Sequence, residues 1–305
     1  MKYLAVNSTD NSEFNLNCYP SKKENTFANI LISHGLAEHS ARYQAFAEFL
    51  SISGFQVFTY DHRGHGKRIT DKNSQGVFAD NNGWKIVVSD LACALKTINR
   101  KYPNLKINLI GHSMGALIGL AGLQNTNKVN KFVMSGSFLQ PPIIQMLQSL
   151  VLKIESMRLG NMGYSNVMNF LVFGLFNKAI KNSQTPNDWL SCNKDSVNDY
   201  FKDPNCGFIV SNSIWNDLLL GSKYTYMSKN LSKLDSHLDI FLMSGHEDVV
   251  GNFGDGPKRI LKLLHQNNIN AKLKLYKSMR HEILNEIDNH VVYDCLLYTS
   301  DAADE

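Results

Sequence analysis

One hydroxyl constrains this chain more than any other feature. The mostly apolar run Ile107-Asn108-Leu109-Ile110 leads directly into Gly111-His112-Ser113-Met114-Gly115, and Ala116-Leu117-Ile118-Gly119-Leu120 follows at once. Extended apolar residues, a tight glycine-flanked turn and a small-residue helix therefore meet at Ser113. Such a turn forces its middle residue into a strained backbone conformation, and the chain passes close on either side only where side chains are absent. The hydroxyl is then held up off the end of a strand, the geometry of a nucleophile elbow. A plain turn with a capping serine is the alternative, and it fails if a base and an acid follow in the right order.

They do follow. A serine nucleophile needs an imidazole to take its proton and an acid to orient that imidazole, and behind an elbow they come in the order Ser, Asp or Glu, His. The run Leu238-Asp239-Ile240-Phe241-Leu242-Met243 reads as a buried strand ending in Ser244-Gly245-His246-Glu247-Asp248. Asp248, just past that strand, is the candidate acid, with Glu247 as its competitor. Ala271-Lys272-Leu273-Lys274-Leu275-Tyr276 alternates apolar and polar residues as a half-exposed edge strand does. It places His281 in the loop after the last strand, as the candidate base. Of the 10 histidines, only His281 satisfies both chain order and a loop after a strand. His34, His39, His62, His65 and His112 are expected to make structural hydrogen bonds, His237, His265 and His290 to lie on the surface, and His246 in a loop.

The oxyanion formed by attack needs two backbone N–H donors. One should be Met114, the residue after the nucleophile. The other should come from the loop His34-Gly35-Leu36-Ala37-Glu38-His39, which follows the early strand Asn29-Ile30-Leu31-Ile32-Ser33. Leu36 is that candidate.

Apolar runs near Phe14, Ile30, Val57, Ile107, Phe132, Ile240 and Leu273 alternate with helical stretches such as Tyr43 to Ile52, Gly83 to Arg100 and Pro257 to His265. This alternation predicts an α/β fold, a mostly parallel central sheet with helices on both faces. The segment after Gly136 breaks it. A structureless loop of that length is implausible, so residues 137–229 are expected to form an inserted helical cap on a core of residues 1–136 and 230–294. Ile143, Met146, Leu147, Leu150, Val151 and Ile154 recur at helical spacing, and most of them are expected to pack on the main domain. The apolar run 167–176 would line a substrate channel, and Phe170 and Phe173 are candidates for contact with a membrane surface.

Taken together the residues resemble a family. The blocks His34 to Tyr43, Tyr60-Asp61-His62-Arg63-Gly64-His65-Gly66, Gly111 to Gly115, Tyr200 to Phe208 and Arg280-His281-Glu282 are similar to those of the monoacylglycerol lipase and lysophospholipase group of α/β-hydrolases. The resemblance implies an α/β-hydrolase fold with an inserted cap. It implies a serine esterase acting on monoacylglycerol or lysophospholipid through an acyl-serine intermediate, and no cofactor or metal. By position it assigns Ser113 as nucleophile, Asp248 as acid, His281 as base, Leu36 and Met114 as oxyanion donors, and Asp61 and Arg63 as structural. Val249 stands where bacterial members commonly carry a proline. Thioesterases, acyltransferases and peptidases of the same fold share such a triad, and a non-catalytic interaction protein would be expected to have lost part of it.

The end of the chain reads differently. Cys295-Leu296-Leu297-Tyr298-Thr299-Ser300-Asp301-Ala302-Ala303-Asp304-Glu305 resembles a translated sequencing adapter, so residues 295–305 are expected to be non-native. A helix opening near His281 would carry Ile283, Leu284, Ile287, Val291 and Val292 onto the sheet, and the tail would cut it short.

Composition narrows the partners. The net charge of +4 is spread along the chain with no compact basic run, which argues against nucleic-acid binding. Cys18, Cys93, Cys192 and Cys206 are scattered without metal-ligand spacing and are expected to be reduced thiols. The first twenty residues carry no apolar core of signal-peptide length. A cytoplasmic enzyme with a lipid-like ester substrate and peripheral membrane contact is the resulting expectation.

Overall fold

The computed structural model describes residues 2–126 and 128–301. In chain order its elements are β1 (Lys2–Asn7), β2 (Glu13–Tyr19), β3 (Asn29–Ser33), α1 (Gln44–Ser53), β4 (Gln56–Tyr60), α2 (Gly83–Lys101), β5 (Ile107–His112), α3 (Met114–Leu123) and β6 (Lys131–Ser135). Between β6 and the next strand lie α4 (Pro142–Leu159), α5 (Asn166–Asn169), a π-helical turn Phe170–Gly174, α6 (Leu175–Lys178), α7 (Lys194–Lys202), α8 (Asn212–Thr225) and α9 (Ser228–Leu231). β7 (Asp239–Gly245), α10 (Asp255–Gln266), β8 (Ala271–Tyr276) and α11 (Asn289–Asp301) complete it.

The strands form one sheet in the order β1-β2-β4-β3-β5-β6-β7-β8. The pairs β1·β2 and β2·β4 are antiparallel and all others parallel. Every residue of β3, β4 and β5 is buried, because helices cover both faces of a parallel sheet and leave no polar side to a central strand. One face packs on α2, α3 and α10 through Leu91, Leu95, Ile118, Leu120, Ile260 and Leu264. The other packs on α1 and α11 through Phe46, Leu50, Val292 and Leu296. β8 is an edge strand of alternating burial, as its pattern predicts. The opposite edge, β1, buries only Val6 and so has too weak an apolar pattern to read in advance.

Two expectations are corrected. The apolar face of α4 does not pack on the main domain: Ile143, Met146, Leu147, Leu150 and Ile154 are each 50–60% exposed, and on this helix Leu152 is buried instead. Helical spacing identifies a face, but not what covers it. At the C-terminus, Ile283 and Leu284 are buried in a short 3-10 turn, while Ile287 and Val291 are exposed. The helix begins only at Asn289 and runs through the expected boundary at Asp294, with Tyr293 and Leu296 buried. Residues 302–305 of the expected tail lie outside the described residues. Among the described residues no helix is long and apolar enough to cross a membrane.

Candidate active site

The turn between β5 and α3 holds Ser113 at φ 51° and ψ −113°, a conformation that costs a non-glycine residue about 1–3 kcal/mol. It is held there by bonds on both sides. Ser113 N–H donates to Ser135 O (2.8 Å), and Ala116 N–H donates to Ser113 O (3.0 Å). A Cβ on Gly115 would lie 2.1 Å from Ser33 O, and one on Gly111 would lie 2.6 Å from Ala116 Cα. The glycines therefore let α3 sit directly against the end of β3.

Asp248 and His281 come together because the loops after β7 and β8 are pinned to each other. His246 N–H donates to Tyr276 O (2.7 Å) and Glu247 N–H to Met279 O (2.9 Å). A Cβ on Gly245 would lie 2.0 Å from Met279 O, so the approach needs glycine. His281 Nδ1 then lies 3.0 Å from Asp248 Oδ2. A carboxylate only accepts, so Nδ1 carries the hydrogen and Nε2 is left with its lone pair. Asp248 is fully buried and also accepts from Ser244 Oγ (3.2 Å) and Val250 N–H (2.9 Å). Its competitor Glu247 is exposed.

Burial alone would lower the basicity of His281, but the Asp248 carboxylate and its hydrogen bond outweigh it and hold the imidazole above its ordinary range. His112, whose ring centroid lies 4.7 Å from that of His281, is driven the other way, to about 4, by burial and by His281 itself. Two histidines in contact are thus pushed apart in their readiness to take a proton.

The loop after β3 brings Leu36 to the same place. Gly35 N–H donates to Glu38 Oε1 (2.5 Å), as does Tyr43 OH (2.7 Å). Ala37 O accepts from Gly207 N–H (2.9 Å) and from Tyr200 OH (3.0 Å). Among the described residues, the N–H groups of Leu36 and Met114 have no acceptor within the protein. Asp61 accepts from Ser40 N–H and Lys67 N–H (both 2.8 Å), and Arg63 pairs with Asp10 and Asp90, so both tie loops together as expected.

Sequence reasoning passed over a buried bridge. Arg42 donates to Glu38 Oε2 (3.0 Å) and to both oxygens of Glu282, thereby linking the Leu36 loop to the residue after His281. The i,i+4 spacing of Glu38 and Arg42 was a local signal, whereas nothing near Glu282 in the chain points to a partner 240 residues away.

Ser113, Met114, Leu36 and His281 all border one cavity. Its walls are Leu117, Phe138, Met168, Val172, Phe173, Phe176, Trp189, Trp215, Leu218, Leu219, Tyr226 and Val250, with Gln140, Gln145, Gln148, Ser137 and Ser222 among them. Among the described residues no Asp, Glu, Lys or Arg lines it. Met168, Val172, Phe173 and Phe176 of the run 167–176 border this cavity; Phe173 is half-buried and stacks on Trp189 (5.5 Å between centroids), whereas Phe170 is exposed. Ser137 Oγ, Trp189 Nε1 and Trp215 Nε1 are buried there without a partner among the described residues. Donor atoms suited to a metal lie elsewhere, where His39, Asp203 and Cys206 bring one nitrogen, one oxygen and one sulfur within 4.8 Å of one another.

The model of the family described as serine aminopeptidase, S33, matches residues 24–288. A monoglyceride lipase homolog of Monkeypox virus is 35% identical over 126 residues, 41% of this chain and 44% of that one. The monoglyceride lipase of Rattus norvegicus is 30% identical over 178 residues, 57% of this chain and 51% of the relative. The matches span about half the length of these curated relatives. A thermostable carboxyl esterase from Bacillus coagulans, solved in complex with glycerol, superposes with a TM-score of 0.89 at 23% identity, covering 99% of this chain and 98% of that one. At that identity the likeness shows a shared fold.

Proposed function

The chain belongs to the serine aminopeptidase S33 family of hydrolases, and from that membership we propose that it hydrolyses carboxylic esters of fatty acids, with monoacylglycerol as the substrate class. The observation that carries this reading is the cavity over Ser113, which is apolar, uncharged and edged by a few neutral polar groups. An acyl chain fits such walls. A glycerol head needs neutral hydrogen-bond partners, and Ser137 Oγ, Trp189 Nε1 and Trp215 Nε1 are available. A phosphate head would call for a cation that none of the described lining residues supplies.

In the reaction Ser113 Oγ attacks the ester carbonyl and gives its proton to His281 Nε2. The Leu36 and Met114 amides receive the charge that develops on oxygen. His281 returns the proton to the departing alcohol, leaving an acyl-Ser113 ester. Water, deprotonated by His281, then releases the fatty acid and restores Ser113. Asp248 keeps its hydrogen bond from His281 Nδ1 and steadies the imidazolium.

The family's description raises a peptidase reading, which the cavity disfavours. A free α-amino group needs a carboxylate to receive it. None of the described residues lining the cavity carries one, and Glu38 and Glu282, which border a smaller hollow beside Ser113 and His281, are engaged by Arg42. We further assign α4 to transient contact with a lipid surface. Its exposed Ile143, Leu147 and Leu150 lie on the same helix as Gln145 and Gln148, which line the cavity, so lipid could pass from surface to site along one element.

The test is release of fatty acid from monoacylglycerols of graded length, from lysophosphatidylcholine and from aminoacyl arylamides, with Ser113→Ala as control. We expect Ser113-dependent release from monoacylglycerol, with kcat/KM rising about fourfold per methylene until the cavity is filled, since each buried methylene contributes about 0.8 kcal/mol. Preference for the arylamide, or release that survives Ser113→Ala, would overturn the reading.

A further inference from the structure

Beyond Leu36 the loop after β3 continues to His39, where the segment between β6 and β7 closes over it. The contact is already tight, with Gly207 N–H and Tyr200 OH both donating to Ala37 O. Beside it, His39 Nε2 lies 2.9 Å from Asp203 Oδ2, and the Cys206 sulfur lies within 4.8 Å of both. Cys206 forms no disulfide among the described residues.

Imidazole nitrogen, carboxylate oxygen and thiolate sulfur are the donors that zinc-class ions take, and three protein ligands leave a fourth position for water. The carboxylate is already oriented, because Asn205 N–H donates to Asp203 Oδ1 (2.8 Å). Charge favours a cation as well. Around Cys206 stand the carboxylates of Glu38, Glu282 and Asp203 and the guanidinium of Arg42, which is itself engaged by both glutamates. The Asp203 side chain is 32% exposed, so the seam has an entry.

We propose that His39, Asp203 and Cys206 form a binding site for a zinc-class divalent cation that staples the segment after β6 to the loop carrying Leu36. Binding replaces the His39–Asp203 hydrogen bond with two metal bonds, moves the His39 ring hydrogen from Nε2 to Nδ1 and sends the Cys206 thiol proton to solvent. Cysteine spacing predicts no such site, because His39 and Asp203 stand 164 residues apart.

The untagged full chain, stripped with chelator, is titrated with Co²⁺ as a spectroscopic probe and then with Zn²⁺. We expect one equivalent of Co²⁺ per chain with a near-ultraviolet thiolate-to-cobalt band, displaced by Zn²⁺, and a rise in Tm on adding Zn²⁺. Cys206→Ser should abolish the band, while Cys192→Ser keeps it. His39→Ala and Asp203→Asn should each weaken binding by about 100-fold or more, since loss of an outer-shell partner alone costs about 10–100-fold. Absence of the band in the unaltered chain, its survival in Cys206→Ser, or affinity unchanged in both His39→Ala and Asp203→Asn would overturn the site. Should Cys206→Ser fold poorly by circular dichroism, the other two variants decide.

Discussion

The proton affinity of His281 is raised above that of an ordinary imidazole although the ring is buried, and Asp248 is the largest of the three carboxylates that raise it, ahead of Glu282 and Glu38. Burial lowers its proton affinity, and the Asp248 carboxylate, through its charge and its hydrogen bond, more than restores it. As the proposed general base His281 must be neutral in the free enzyme, so the acid limb of kcat/KM should fall above 6.5, the ordinary imidazole value. In Asp248→Asn the largest raising influence is gone, while burial and the smaller raising effects of Glu282 and Glu38 remain. The limb should then move to lower pH, while kcat falls by about 10⁴-fold because the imidazole loses its tautomer and its counter-charge. A profile of kcat/KM against pH for the two proteins checks both statements. A limb at the same pH in Asp248→Asn would mean that Asp248 does not control this imidazole.

The elbow works as an element only because α3 can lie against β3. A Cβ at position 115 would meet Ser33 O at 2.1 Å, and backbone cannot swing aside as a side chain can. Gly115→Ala should therefore destabilise the protein by about 3 kcal/mol or more, at the upper end of overpacking costs. Gly160→Ala, where nothing lies within 4 Å of the added Cβ and only a φ of 77° opposes it, should cost about 1 kcal/mol. Urea unfolding of the two variants makes the comparison, and equal midpoints would remove the packing argument. The elbow was legible in sequence for the same reason that it is fragile, since only glycine fits and a buried strand precedes it. Ser113, Asp248 and His281 could be nominated because each follows a strand whose run is mostly apolar or regularly alternating. β1 could not, because it buries one side chain. The outward turn of α4 could not, because the residues that decide a helix's facing belong to other elements. The Arg42 bridge and the His39–Asp203 pair join residues 240 and 164 positions apart, so no local pattern records them.

Across the whole molecule, folding locks several histidines in the neutral form. His34, His62, His65 and His112 are all buried, and burial lowers the proton affinity of each, to about 3 for His65 and about 4 for His112. The hydrogen bonds agree with neutrality. His62 N–H donates to His34 Nε2 (2.9 Å) and His34 Nδ1–H to Gly35 O (2.7 Å), so a second proton on His34 would displace the first of these bonds. The unfolded chain takes up protons near 6.5, whereas the folded chain resists them down to the lowered values. Between those limits the unfolded state holds more protons, and stability must fall as pH falls. Each fully shifted histidine removes about 1.4 kcal/mol per pH unit below its unfolded value. Glu38, held down to about 2 by Arg42 and its histidine neighbours against the opposing effect of burial, adds a loss in the same direction at lower pH. His281 acts oppositely, since its raised value contributes stability at low pH that is lost as pH rises through it. One raised imidazole does not offset four lowered ones. Against a typical total of about 5–15 kcal/mol, we expect the urea midpoint to drop steeply from about pH 6.5 to about pH 5, and the drop to be shallower in His65→Gln. A midpoint that stays level across that interval would mean that these rings take up protons without unfolding, and that the buried cluster around β3 and β4 is open to water.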